Sequence, residues 1–305
     1  MTRPTVTDAQ ALERQTPGWL VPYLIELDTL DVTIPADQEA PGKPKGQSYH
    51  FQGSGRWEYW LWACWNRTIP TDPIPPMHFL PHPLPEDERA ITDVLRVYVQ
   101  KGLGDWGDAW MALVVWILHG LNYKGDGLLR ELARIPDDVK AQWYRLFNLG
   151  NLLHSPCDWS AHIMQGGLRA DGSNYSRYTG SGYFSTPIHV VEMMTRMTFG
   201  DEPHHEHKGM SVCDPCCGTG SMLLCASNYS LQLYGVDVVW DLCLCAILNG
   251  YLFMPWLVYM PDHMRELLSA TPDPVATGVE VVTKEQQASL LEAARAGDLV
   301  QMAMF

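Results

Sequence analysis

The chain has 305 residues, of which 46% are hydrophobic and 18% charged, enough for one large domain or two ordinary ones around a buried core. Lys and Arg number 21 against 35 Asp and Glu, a formal net charge of −14. That balance excludes a protein that coats nucleic acid with a basic surface, so any approach to DNA uses a local patch or a partner.

The amino-terminal stretch MTRPTVTDAQALERQTPGW lacks the charged-then-apolar pattern of a secretory signal. Residues 1–90 are rich in proline and aromatics, with PADQEAPGKPKGQ expected as a loop and TIPTDPIPPMHFLPHPLPEDE as an extended, proline-stiffened strap. Between them RWEYWLWACWNR carries Trp57, Trp60, Trp62 and Trp65. Such rings could stack on bases, but a core or subunit contact is the expected use.

From Asp87 to His154 the periodicity turns helical, in three segments: DERAITDVLRVYVQKG, DAWMALVVWILHGL and PDDVKAQWYRLFNLGNLLH. The middle one is apolar all round and belongs at the centre of a helical bundle. Residues 166–185, rich in Gly, Ser and Tyr, read as a long loop. It leads into a helix opened by Thr186, with Pro187 at its first position, and closed by Gly200.

The chemistry concentrates further on. SVCDP at 211–215 predicts a strand, residues 219–228 the start of a helix, and LQLYGVD a second strand. Asp214, at the end of the first strand, can accept a hydrogen bond from an ammonium group, while Gly218 and Gly220 let the backbone come close to a ligand. Asp237, at the end of the second, can hold both hydroxyls of a ribose. The apolar run at 242–260 approaches membrane-spanning length but contains Asn249, Gly250 and Pro255 and has no basic flanks, so it predicts a buried helix and its exit. A cytoplasmic protein without a membrane partner is the expectation. Of the eight cysteines, six lie between Cys213 and Cys245 in apolar surroundings and read as small buried hydrophobes of a reducing compartment. Cys213 and Cys216 have no second pair or histidine at ligand spacing, and HHEH at 204–207 reads as a solvated loop, so no metal is expected.

DPCCGTGSMLL with YGVDVVWDLCLCAILNGYL, preceded by GYFSTPIHVVEMM, resembles the S-adenosylmethionine-dependent adenine-N6 DNA methyltransferases, in particular the modification subunits of type I restriction systems. The resemblance covers about residues 155–255, in the family's motif order. It implies an α/β, Rossmann-like methyltransferase sheet, truncated after the cofactor site, with a helical, proline-rich N-terminal region. It also implies S-adenosylmethionine as cofactor: Asp214, Pro215, Cys217, Gly218, Thr219 and Gly220 cradle its methionine part, Asp237 binds the ribose, and Thr186 with Pro187 contact the carboxylate. The family's catalytic Asn/Asp-Pro-Pro-Tyr/Phe motif, which holds the flipped base after the fourth strand, is not found. FMPWLVYMPDH and TPDPVATGVEVV lack Pro-Pro-aromatic after an acid or amide. The catalytic residues are therefore unassigned, and a second subunit for base recognition is the expected partner.

A second signal closes the sequence. QMAMF at 301–305 resembles the peptides with which bacterial and phage DNA-processing proteins bind the replicase sliding clamp. It implies a polar pocket for Gln301 and apolar ones for Met302, Met304 and Phe305, with LLEAARAGDL as a short helix and tether. The alternative is a tail folded on its own core. The division expected is 1–154 for the helical and strapped region, 155–283 for cofactor binding, and 284–305 for the helix and tail. Two functions stay open: a DNA adenine-N6 methyltransferase, or a non-catalytic adaptor of the same fold recruited to replicating DNA.

Overall fold

The computed structural model describes residues 6–34, 49–165, 184–201, 205–268 and 277–295. The QMAMF peptide and most of the 166–185 loop lie outside the described residues. Two compact units form: Met1–Gly53 with His82–Ser155 and His162–Gly182, and Ser54–Pro81 with Pro156–Ala161 and Tyr183–Phe305. Each unit holds segments from both sides of residue 154.

The first unit is mainly helical. Its centre is the Trp106–Gly120 helix, which buries Trp110, Leu113, Val114, Trp116, Ile117 and Leu118, as an all-round apolar pattern requires. Asp105 and Asp108 close a capping box at its start, satisfying two of the amides that every helix leaves open. The Pro85–Gln100 helix offers one apolar face, with Ile91, Val94 and Leu95 buried. Trp143 reaches it from the Asp137–Leu146 helix, donating Nε1–H to Val94 O at 2.8 Å. The third predicted helix breaks in two, because the Asn148 side chain accepts the Gly150 N–H at 3.0 Å and caps a new helix, Leu149–His154. This unit also holds a short antiparallel pair, Asp31–Ile34 with Tyr49–Gln52.

The second unit holds three parallel strands, Ser211–Asp214, Gln232–Asp237 and Gly278–Val281, in that order across the sheet. Helices Ser221–Ala226 and Trp240–Phe253 follow the first two. Both are buried along nearly their whole length, and a parallel sheet needs such cover. The run at 242–260 is thus an internal helix, broken at Met254 and resumed at Pro255–Val258. No helix among the described residues is long and apolar enough to cross a membrane.

The tryptophan-rich segment forms the Arg56–Asn66 helix of this unit. Arg56, fully buried, donates to Pro75 O at 2.9 Å, Ser227 Oγ at 2.7 Å and Phe253 O at 2.8 Å, and its guanidinium lies 5.4 Å from the Trp256 ring. Trp57 and Trp60 are buried, donating to Tyr251 O and Tyr259 O. Trp62 and Trp65 instead face solvent at 53% and 88% exposure, so the core reading holds for half of the set. Residues 69–84 carry no helix or strand. Their backbone is held instead by Asn228, which exchanges two bonds with Met77, and by the buried Lys208, which donates to Pro70 O and Thr71 O.

Candidate cofactor site

Parallel strands bring their carboxyl ends to one edge, and the register sets Asp214 beside Gly235 and Asp237 beside Val281. Both predicted acids therefore end at the same rim, and both are buried. Asp214 Oδ1 accepts the Cys216 N–H at 3.1 Å. Asp237 accepts the Gly218 N–H on Oδ2 at 3.0 Å and the Val239 N–H on Oδ1 at 2.9 Å. The acid of the second strand thus holds the glycine turn of the first, and each of its oxygens retains a free lone-pair direction.

The turn needs its glycines for backbone reasons. Gly218 has φ 53° and Gly220 φ 89°, in the region costly for side chains with a Cβ. A Cβ on Gly220 would also stand 3.2 Å from that of Ala246. Cys217 lies beneath the turn, its N–H bonded to Val236 O at 2.9 Å and its side chain buried. Its thiol proton is held well above the ordinary range, by the Cys243 contact first and burial second, which makes it packing rather than a nucleophile. Pro215 O accepts Gln287 Nε2–H at 2.8 Å. The last helix, Lys284–Arg295, begins at the expected boundary of 284 and docks on the turn through Gln287.

The Thr-Pro segment also comes to this edge: Ser185 Oγ lies 3.2 Å from Ser221 Oγ. Its helix runs Ile188–Phe199 with Pro187 as the N-cap residue and no side-chain cap. The predicted start, with Thr186 as cap and Pro187 as first helical residue, is corrected by one position; Pro187 keeps an extended ψ of 133°. Gly200 ends the helix at φ 88°, as expected.

The segment 173–250 matches the family model described as N-6 DNA Methylase. Over these residues the chain is similar to that family. The matched span contains the Thr-Pro segment, the glycine turn and both strand-end acids. No curated protein and no solved structure matches the chain.

The electrostatics of the matched segment are those of a site short of positive charge. Burial pushes the Asp214 carboxyl up to about 6 against the pull of the Cys216 N–H bond, and the Asp237 charge adds to the rise. Sequence reasoning missed three contributors. Asp158, buried, accepts Thr219 Oγ1–H at 2.6 Å and Ser221 Oγ–H at 2.5 Å; its signal was an acid just before a helical start. Asn249 supports the turn by donating to Thr219 O at 2.9 Å. Gly235 sits mid-strand where a Cβ would meet Leu223 Cδ1 at 2.8 Å and Cys217 Cβ at 3.0 Å, the close approach that a glycine inside a strand announces. Among the described residues no group of His, Cys, Asp or Glu is arranged to hold a metal ion.

Proposed function

We propose that this chain binds S-adenosylmethionine at the rim of the first two strands and serves DNA adenine-N6 methylation. Members of the matched family generally use that cofactor. The observation that carries the reading is the pair of buried carboxylates bracketing a left-handed glycine turn inside the matched segment. Asp214, its proton affinity raised by burial and by Asp237, fits a cationic ligand, because an ammonium group beside it would relieve both. The remaining lone pairs of Asp237 fit two vicinal hydroxyls, and Gly218 and Gly220 hold the turn in the left-handed conformation that brings its backbone to the rim. Asp214 would hold the ammonium, Asp237 the ribose, and Thr186 and Pro187 the carboxylate; the bound cofactor supplies an electrophilic methyl group.

The chain's own share of the chemistry is then to bind and orient. Base capture falls to a second subunit, and the described architecture supports that division. The third strand lies beyond the second, so the described sheet extends away from the outer edge of the first strand. No described strand pairs with that edge, the side on which doubly wound sheets reverse direction and open a ligand crevice. The segment FMPWLVYMPDH, a candidate for a diverged catalytic loop, is largely spent on packing: Phe253, Trp256 and Leu257 are buried.

The same observation supports a second reading, a non-catalytic adaptor that retains the cofactor fold and reaches replicating DNA by docking Gln301, Met302, Met304 and Phe305 on a sliding clamp. Tritium-methyl transfer to unmethylated DNA separates the two. The chain alone is expected to transfer poorly or not at all, and a cognate second subunit restores transfer if the enzyme reading is right. Robust transfer by the chain alone would place a complete catalytic centre within it and remove the need for the partner.

A further inference from the structure

We propose, on the strength of the cofactor reading above, that the Lys284–Arg295 helix is a hinged lid over the cofactor rim, latched shut by the bond from Gln287 to Pro215 and opened to admit and release the cofactor. The need for an opening comes from burial. Asp214 and Asp237 keep only 4% and 7% of their surface exposed, so the lone pairs that would take an ammonium group and a ribose do not stand open to solvent. A ligand reaches them when some cover moves.

The helices that follow the first two strands are fixed: Ser221–Ala226 is buried throughout and Trp240–Phe253 nearly so, and moving either would open the core. The last helix differs. From Lys284 to Glu292 no side chain is buried, and Gln287, Leu290 and Leu291, one turn apart, are half-buried. Elements with so little buried surface are those that open at low cost.

Sheet order sets where this helix runs. The first and third strands flank the second. The helix starts from the carboxyl end of the third, while Gln287 Nε2–H reaches Pro215 O, just past the end of the first, at 2.8 Å. The chain between them therefore passes the end of the second strand, where Asp237 sits beside Val281. Strands lie about 4.8 Å apart, so the crossing spans roughly 10 Å. Its root is fixed, with Val282 N–H donating to Asp237 O at 2.9 Å. The helix start is stiff, because Gln286 N–H donates to Thr283 Oγ1 at 3.2 Å and Thr283 N–H to Gln286 Oε1 at 2.8 Å, closing a capping box. A fixed root, a stiff helix and a side-chain bond across the rim are the parts of a lid. Opening it frees the Gln287 amide and the Pro215 carbonyl to bond with water, so the exchange is nearly balanced.

The test measures association and dissociation rates of S-adenosylmethionine by surface plasmon resonance on wild type, Gln287→Ala and Gln287→Glu. Hydrogen exchange of residues 284–295 is followed in parallel, with and without saturating cofactor. Loss of the latch should raise both rates by about two- to tenfold, the population shift that one hydrogen bond commands. Kd should stay within about twofold of wild type, since the latch closes over a full site and an empty one alike. In wild type the helix should be protected by cofactor, and in both variants it should exchange faster than in wild type. Unchanged rates overturn the proposal. So does faster dissociation with unchanged association, the mark of a direct ligand contact, and so does exchange in 284–295 that responds neither to the substitutions nor to the cofactor. Should Gln287→Ala fail to fold, Gln287→Glu decides by the same rates, because an ionised carboxylate keeps the shape and cannot donate. A wild-type protein that takes up no cofactor is a different result: it removes the cofactor reading, whereas failure of the lid leaves saturable binding in place.

Discussion

Asp214 carries its own cost. A carboxyl whose folded-state value rises from 3.8 to about 6 binds its proton more tightly folded than unfolded. The sign follows: below the unfolded value both states are protonated and nothing is lost, and as pH climbs through the interval between the two values the folded state loses stability. Above it the loss is about 3 kcal/mol at most. Asp214→Asn, which keeps an acceptor for the Cys216 N–H, should therefore be more stable than wild type at pH 8, with the gap closing toward pH 4. Denaturant unfolding at the two pH values reads this directly, and a variant less stable at pH 8 would contradict it. The same substitution should weaken cofactor binding, so stability and function move in opposite directions at this residue. Asp214 and Asp237 were legible in the sequence because an acid closing an apolar run before a glycine turn has a fixed place on a strand. Asp158 left only the signal of an acid just before a helical start, since its partners on the turn stand about sixty residues away.

At the scale of elements, the strands and helices around the turn were readable from periodicity and glycine placement, and boundaries shifted by a residue or so. The Arg56–Asn66 helix shows the limit. Its wheel separates buried Arg56, Trp57, Trp60 and Ala63 from exposed Trp62 and Trp65, but four tryptophans in nine residues blur that pattern in the sequence. Arg56 is the anchor. Its donors meet carbonyl and side-chain oxygens from the strap, from the end of the Ser221–Ala226 helix and from the end of the Trp240–Phe253 helix. Removing it leaves Pro75 O and Phe253 O buried without that donor and takes away the cation above Trp256. Arg56→Ala should cost about 3–5 kcal/mol and lower the melting temperature by about 10 °C. A shift below about 2 °C in a thermal scan would show that the strap and helix ends are held by something else.

The two compact units are assembled from segments that alternate along the chain, and this was the least legible feature, because composition changes near residue 154 while the packing does not follow it. A net charge of −14 also acts at the scale of the whole molecule. Counterion release gives such a chain little non-specific hold on DNA, so a tethered clamp-binding peptide would supply proximity that its surface cannot, at an effective concentration of about millimolar for a short linker. Deleting residues 301–305 should leave melting temperature and cofactor binding unchanged while abolishing capture of the purified sliding clamp; a parent protein that does not bind the clamp removes the recruitment proposal. The central claim is nearer the sheet. Calorimetric titration with S-adenosylmethionine, run on wild type and Asp237→Ala, tests it most directly. Saturable binding by wild type is predicted, weakened by roughly tenfold or more in the variant, since a hydrogen bond to a charged group contributes about 1.5–3 kcal/mol. No heat and no thermal shift from wild type at about millimolar cofactor, a concentration at which even weak sites fill, would contradict it.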